Sequence, residues 1–258
     1  MVSNGVKPKK HLGQHFLKDI GIAQKVAHLF KDDVGEDQIL EIGPGMGVLT
    51  QFLLQSFPNV KAVEIDTESV RYLENTLVKE GLDLIEGDFL QMDTAELAKN
   101  KQLFVVGNFP YNISSQIVFK VLEAVPHVKG FGGMFQKEVA ERLVAKKGSK
   151  TYGILSVFLN AYYDCTYEFT IEPNVFIPPP KVKSGVIRCT RKEGFVLPCD
   201  RKLFFEVVKA GFNQRRKTLR NALHKFNLKD THEFAKLRAE QLSVEDFISL
   251  TQDIQKEQ

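Results

Sequence analysis

The chain has 258 residues, a length that suits one large domain, or a medium-sized domain followed by a small one. Hydrophobic residues make up 43% of it, but no apolar run approaches the roughly 20 residues of a membrane-spanning helix, so we expect no membrane association. The three cysteines lack CxxC spacing, and no apolar signal-peptide core follows the amino-terminal lysines. We therefore expect reduced thiols, no metal site and a cytoplasmic location.

The net charge of +3 is unevenly distributed along the chain. Residues 181–229 contain 14 Lys or Arg and 3 acids, a local charge of +11, so the remainder sums to −8. A basic segment on a mildly acidic body indicates a polyanionic partner for that segment, and nucleic acid fits best. A solvated helical face with counterions is the alternative.

The first part of the chain alternates between strand and helix patterns. The predicted strands are 38–42, 60–65, 83–86, 103–107, 130–135, 162–170 and 185–190. The predicted helices are 20–31, 48–57, 67–78, 116–125, 138–144 and 152–161. Three consecutive prolines, Pro178–Pro180, predict a stiff extended loop. Strands alternating with helices predict an α/β fold with a mostly parallel sheet and helices on both faces.

From about Lys192 the strand pattern stops and a helical period takes over. The predicted helices are 201–210, 216–226, 233–239 and 244–254. The sequence therefore predicts two domains, an α/β domain over 1–191 and a small all-helical domain over 192–258.

Three consecutive predicted strands end in residues that suit a nucleoside ligand. Gly43 belongs to a GxGxG turn that lets the backbone approach a ligand, and Glu41 just before it favours a ligand carrying an ammonium group. Glu64 is placed to bind ribose hydroxyls, and Asp88 to accept a hydrogen bond from an adenine amine. A plain tight turn, a surface acid and a helix N-cap are the respective alternatives.

The fourth strand ends in Asn108-Phe109-Pro110-Tyr111. This turn offers a side-chain carbonyl, a backbone carbonyl and a flat ring, which together suit a planar base with an exocyclic amine. Because the carboxyl ends of parallel strands form the ligand edge of an open α/β sheet, we expect all four motifs to meet there.

The order and spacing of these motifs resemble S-adenosylmethionine-dependent methyltransferases that act on the exocyclic amine of adenine. The segments KPKKHLGQHFLKD, EIGPGMG, VEID, GDFLQMD, VVGNFPYNISS, NVFIPPPKVKSG and FNQRRKTLRNAL occur in the order expected of one family. The chain is similar, over about residues 7–225, to the ribosomal RNA adenine dimethyltransferases, especially the bacterial enzymes of the small-subunit RNA. The resemblance implies a Rossmann-like domain with a seven-stranded, mostly parallel sheet.

The resemblance also implies how the donor and the target base are held. His15 and Leu17 would close over S-adenosylmethionine, Gly43 would lie against its methionine portion, and Glu64 and Asp88 would hold its ribose and adenine. Asn108 would border both the donor and the target. The target adenine would be held by the whole tetrapeptide, which consists of Asn108, Phe109, Pro110 and Tyr111. Two departures stand out: His15 replaces an Asn found in some members, and Phe109 replaces the usual Leu or Ile.

The implied substrate is 16S rRNA in an immature small ribosomal subunit, in which adenosine would be modified to dimethyladenosine. The enzyme would act as a monomer and have a role in subunit biogenesis. Phe176 is a candidate second stacking ring, with core packing as the alternative. The candidate phosphate-binding cations form two clusters: Lys146, Lys147, Lys150; and Arg215, Arg216, Lys217, Arg220. The rival functions are the same chemistry on large-subunit RNA, a non-catalytic assembly factor and a DNA adenine methyltransferase.

Overall fold

The computed structural model describes residues 6–257, which divide into two compact units. The described part of the first unit comprises residues 6–140 and 166–191. The second comprises residues 141–165 and 192–257. Within the described residues, no helix is long and apolar enough to cross a bilayer.

The first unit is built on a seven-stranded sheet. The strands of the chain are β1 (Phe16–Leu17), β2 (Gln38–Ile42), β3 (Val60–Glu64), β4 (Asp83–Glu86), β5 (Leu103–Asn108), β6 (Val128–Gln136), β7 (Tyr163–Ile171), β8 (Phe176–Ile177) and β9 (Ser184–Arg191). The sheet order is β4-β3-β2-β5-β6-β9-β7. The first five strands in this order are parallel to one another, and β9 is antiparallel to β6. The short strands β1 and β8 pair separately in an antiparallel ribbon.

The helices follow the predicted alternation. Their bounds are α1 (Ile20–Ala27), α2 (Thr50–Ser56), α3 (Thr67–Asn75), α4 (Thr94–Ala98), α5 (Ser114–Glu123), α6 (Lys137–Leu143), α7 (Ile154–Tyr162), α8 (Arg201–Asn213), α9 (Leu219–Ala222) and α10 (Val244–Lys256). Asp19 begins α1 by accepting a hydrogen bond from the Ile22 N–H at 2.9 Å, as its N-cap position predicts. The α/β fold with a mostly parallel sheet is confirmed.

The central strands are apolar on both faces, which is why they form the buried middle of a parallel sheet. Residues 39–42 of β2 and 103–107 of β5 are all buried. With β3 and β4 alongside, their carboxyl ends bring the glycine loop, Glu64, Asp88 and the tetrapeptide to one edge of the sheet.

The boundary between the two units differs from the predicted one. Residues 141–165, expected in the first domain, group with the carboxyl-terminal segment. The reason is α7, which is mostly apolar and almost entirely buried. Its Phe158 ring stacks on Phe205 of α8 with centroids 3.9 Å apart, so this helix belongs to the core of the second unit.

Two predicted helices of the second unit were wrong. Over 216–226 only the short α9 and a 3₁₀ turn form, and over 233–239 no α-helix forms. The N–H groups of Leu219 and Arg220 donate to the carbonyls of Leu237 and Ala235, at 2.7 and 3.0 Å. These two carbonyls therefore bond across to another segment, and do not serve a local helix.

Candidate active site

One cavity lies at the carboxyl ends of β2, β3, β4 and β5, in the first unit. Its lining includes His15, Gly43, Glu64, Asp88 and all four residues of the tetrapeptide, Asn108, Phe109, Pro110 and Tyr111. Residues 11–16 also line it, and we call residues 6–17 the amino-terminal arm. The structure thus brings together residues that are up to 106 positions apart in the chain, from His11 to Ile117.

Three residues of the glycine loop, Gly43, Gly45 and Gly47, adopt left-handed backbone angles, and the first two line the cavity. Gly43 has φ 68°, and a Cβ placed there would meet nothing within 4 Å, so the backbone borders open space. Gly45 has φ 57°, and a Cβ there would lie 2.8 Å from the Phe16 ring. Glycine at 45 therefore allows the arm to pack on the loop.

Glu64 is held rigidly in the wall of the cavity. Its carboxylate accepts hydrogen bonds from the N–H groups of Gly45 and Asp66, both at 2.9 Å. Burial raises the pKa of Glu64, and the two backbone donors oppose that rise. Each carboxylate oxygen keeps a further lone pair, so the group can accept hydrogen bonds from two ligand hydroxyls.

Glu41 lies beneath the glycine loop with an unsatisfied carboxyl oxygen. The residue is 1% exposed, and its Oε2 has no hydrogen-bond partner among residues 6–257. It lines a small recess with Leu17, Gly43 and Asn108. Burial raises the pKa of Glu41 to about 8, and the nearby Glu64 carboxylate adds to the rise. This arrangement suits a ligand group that brings a positive charge.

Asp88 caps a turn, which was its alternative role, and it also lines the cavity. Its Oδ1 caps the turn after β4 by accepting from the Leu90 N–H at 2.9 Å. In the described part of the chain no donor reaches Oδ2, which leaves that oxygen for a ligand amine. Lys120 of α5 donates to the carbonyls of Leu90 and Met92, at 3.1 and 2.6 Å, and so fixes this loop from the opposite side.

Asn108 is oriented by the arm. Its Nδ2 donates to the main-chain carbonyl of His15 at 2.7 Å, so the opposite atom of the amide, Oδ1, is left as an acceptor. His15 therefore contacts Asn108 through its main chain. The His15 ring uses Nδ1 to donate to the Pro178 carbonyl at 2.7 Å.

Phe109 and Tyr111 have different surroundings. The Phe109 ring is 1% exposed and packs 4.7 Å from Phe135 and 5.4 Å from Phe131. The larger volume of the Phe109 side chain, compared with the usual Leu or Ile, is therefore accommodated within an aromatic cluster in the core. Tyr111 is partly exposed, with its ring centroid 5.4 Å from that of His15.

The sequence reasoning missed the residues that hold the arm in place. Lys9 donates to the Asp66 carboxylate at short distance, and Gln14 donates to its other oxygen at 3.3 Å. Burial of Asp66 opposes its ionisation, but hydrogen bonds from Lys9, Gln14 and Ser69 outweigh it and lower its pKa. Asp66 belongs to the VEID motif, two residues after Glu64. This second acid of the motif is the sequence signal that could have indicated the contact with the arm.

Two predicted ligand residues do not line the main cavity. Leu17 is 5% exposed and pairs through β1 with Phe176 of β8, so it reaches only the recess beside Glu41. Phe176 is 1% exposed within the core. Core packing, the alternative for Phe176, is what the structure shows, because a ring buried on both faces offers no surface for a base.

The predicted phosphate-binding cations belong to the second unit. Lys146, Lys147 and Lys150 are exposed in the loop before α7, as are Arg216, Lys217 and Arg220 around the start of α9. Arg215 is half-buried and paired with Glu240 at 2.6 Å. Arg216 and Lys217 lie in the turn before α9, which corrects their expected place on a helix.

Comparison with known proteins identifies the fold and the family. Residues 5–256 match the model of the ribosomal RNA adenine dimethylase family. The chain belongs to this family. "Ribosomal RNA small subunit methyltransferase A" of Flavobacterium johnsoniae is 58% identical over 97% of each chain. The Bacteroides thetaiotaomicron protein of the same name is 53% identical over 97% of this chain and 95% of its own.

Solved structures agree with the family assignment. A dimethyladenosine transferase from Plasmodium falciparum superposes with a TM-score of 0.80 at 26% identity, covering 94% of this chain and 98% of its own. The 23S rRNA methyltransferase ErmE shares the fold, with a TM-score of 0.68 at 22% identity over 92% of this chain and 99% of its own. The chain is thus an rRNA adenine methyltransferase with a Rossmann-like fold.

Proposed function

We propose that this protein transfers methyl groups from S-adenosylmethionine to the exocyclic amines of two adjacent adenosines in a hairpin loop of 16S rRNA. The products are N6,N6-dimethyladenosines, formed by a monomer acting on an immature small ribosomal subunit. The observation that carries the proposal is the meeting, in one cavity, of the glycine loop, Glu64, Asp88 and the tetrapeptide. The names of the two bacterial relatives support the small subunit as the substrate.

The residues of the donor side fit S-adenosylmethionine. Gly43 leaves open space, Glu64 offers two fixed acceptors for ribose hydroxyls, and Asp88 offers Oδ2 to the adenine amine. The unsatisfied carboxyl of Glu41 lies in the adjoining recess and suits the ammonium of the methionine portion. When bound, S-adenosylmethionine supplies an electrophilic methyl group.

The acceptor side activates a poor nucleophile. The lone pair of an adenine amine is delocalised into the ring. Asn108 Oδ1 and the Phe109 carbonyl would accept its two N–H groups and thereby favour a tetrahedral nitrogen with a localised lone pair. Pro110 restricts the backbone between them, and stacking on Tyr111 would contribute about 1–3 kcal/mol. Positioning is the main contribution of the protein to the reaction.

The second methylation places a different demand on the same residues. A monomethylated amine has lost one N–H, so only one of the two acceptors can be used. The base must then be held more by the Tyr111 ring and by the shape of the cavity. We therefore expect defects at Tyr111 to slow the second step more than the first.

The substrate is tested by incubating the protein with labelled donor and ribosomal subunits that lack the modification. We expect label in adenosines of the small subunit. Label only in the large subunit would overturn the proposal and favour the rival chemistry on 23S rRNA. No label in either would favour a non-catalytic assembly role.

The acceptor site is tested with Tyr111→Ala. We expect the methylation rate to fall about 10- to 100-fold, because one stacking surface is lost. Tyr167→Ala, which removes a partly exposed tyrosine of β7 outside the cavity, serves as the control. A Tyr111→Ala enzyme working at the normal rate would contradict the stacking role.

A further inference from the structure

The hydroxyl of Tyr111 has a specific partner outside the tetrapeptide. It forms a short hydrogen bond with the hydroxyl of Ser184, the first residue of β9. Ser184 is 0% exposed, and Tyr111 is partly buried. A phenol at such a position needs a hydrogen-bond partner, since an unsatisfied buried hydroxyl is costly.

Ser184 sits on a firmly held stretch of backbone. It pairs with Gln136, the last residue of β6, in the β6–β9 ladder. The carbonyl of the preceding Lys183 accepts from the Lys137 N–H at 2.9 Å. Because the backbone on either side of its hydroxyl is fixed, Ser184 can hold another side chain in place.

The sheet order explains what this contact connects. Strand β6 lies between β5 and β9, and β9 starts at the edge where β5 and β6 end. The Tyr111–Ser184 hydrogen bond therefore joins the segment after β5 to the start of β9, two strands that are separated by β6. The main-chain carbonyl of Tyr111 accepts from Ser114 Oγ at 3.2 Å, so the residue is held at both ends.

The His15 ring restricts which face of Tyr111 can receive a base. The two ring centroids are 5.4 Å apart with an angle of 31° between the planes. A base inserted between two stacked rings needs about 7 Å, twice the contact distance of carbon atoms. His15 itself is fixed by its hydrogen bond to the Pro178 carbonyl at 2.7 Å. A base that stacks on Tyr111 would therefore use the face that points away from His15.

We infer that Ser184 is a positioning residue of the acceptor site, which holds the Tyr111 ring at the angle where its free face receives the target base. The inference rests on the proposed function and extends it. Without the Ser184 hydroxyl, the ring is free to turn about its side-chain bonds. The second methylation depends most on the ring, so it is the step most sensitive to Ser184.

The test is a double-mutant cycle of Ser184→Ala and Tyr111→Phe, which remove the two ends of one hydrogen bond. Both single variants keep the ring. We expect each to lower kcat on small subunits about five- to tenfold, to leave the KM for the donor within about twofold, and to accumulate monomethylated adenosine. We expect the double variant to behave like either single variant.

Ser156→Ala is the matched control. Ser156 is also 0% exposed and its hydroxyl is also hydrogen-bonded, to the Arg142 carbonyl, but it lies in the second unit. Thermal unfolding of all variants separates lost stability from lost positioning. A Ser184→Ala enzyme with wild-type kcat, or effects that multiply in the double variant, would overturn the inference. An inactive wild type would instead show that the proposed function itself is wrong.

Discussion

Glu41 is the residue whose protonation the fold controls most clearly. An unfolded chain ionises this carboxyl near its ordinary value, whereas burial in the folded protein raises the pKa to about 8. Between those two pH values the folded state holds one proton more than the unfolded state. The free energy of unfolding must therefore fall as pH rises through this range.

Glu41→Gln should remove that pH dependence. Between pH 5 and pH 8, we expect the free energy of unfolding of the wild type to fall by on the order of 3 kcal/mol relative to that of this variant. Urea unfolding at the two pH values measures the difference, and Glu74→Gln, an exposed acid of α3, is the control. Parallel pH profiles of wild type and Glu41→Gln would mean that the carboxyl is not held protonated.

The amino-terminal arm is the element that, in the proposed function, would close over the donor. It lines the cavity with residues 11–16 and is tied to Asp66 through Lys9 and Gln14. We expect Lys9→Met to raise the Kd for S-adenosylmethionine about three- to tenfold, because the arm spends less time over the cavity. Calorimetric titration measures this, and RNA affinity should change little.

Lys10→Met is the control for that prediction. Lys10 is the next residue, carries the same charge and is exposed. Equal losses of donor affinity in the two variants would show a general charge effect, and the Lys9–Asp66 contact would then have no special role.

Elements with a strong local pattern could be predicted from sequence, and others could not. The buried strand that ends at Asn108 was predicted because its run of apolar residues is unambiguous. The missing helix at 233–239 and the pairing of Leu17 with Phe176 depend on partners distant in the chain. The motif residues at strand ends line one cavity, as their order along the chain predicted. The contacts of Asp66 with the arm and of Ser184 with Tyr111 join segments that are distant in the chain, so the local sequence did not indicate them.

At the scale of the whole molecule, the uneven charge predicts how binding responds to salt. Exposed Arg216 and Lys217 belong to the strongly basic segment. Replacing both with Ala should lower the slope of log K against log salt for RNA binding by about 1.5, because each phosphate contact contributes roughly 0.7–0.9. Filter binding at several salt concentrations gives the slope.

A double substitution of Lys31 and Lys79, two exposed lysines of the first unit, removes the same charge elsewhere. We expect this control to leave the slope nearly unchanged. A similar drop in both double variants would assign the effect to net charge and not to the basic segment.

The hydrogen bond from Asn108 to the His15 carbonyl has a consequence for the number of methyl groups added per encounter. The arm lines the cavity and also orients the Asn108 amide, which in the proposed function would receive the target amine. Two methylations of one base require the spent donor to leave and a fresh one to enter. We expect each exchange to move the arm and thereby to loosen the hold of Asn108 on the base. We therefore expect distributive kinetics, with monomethylated RNA released and bound again before the second methyl group is added.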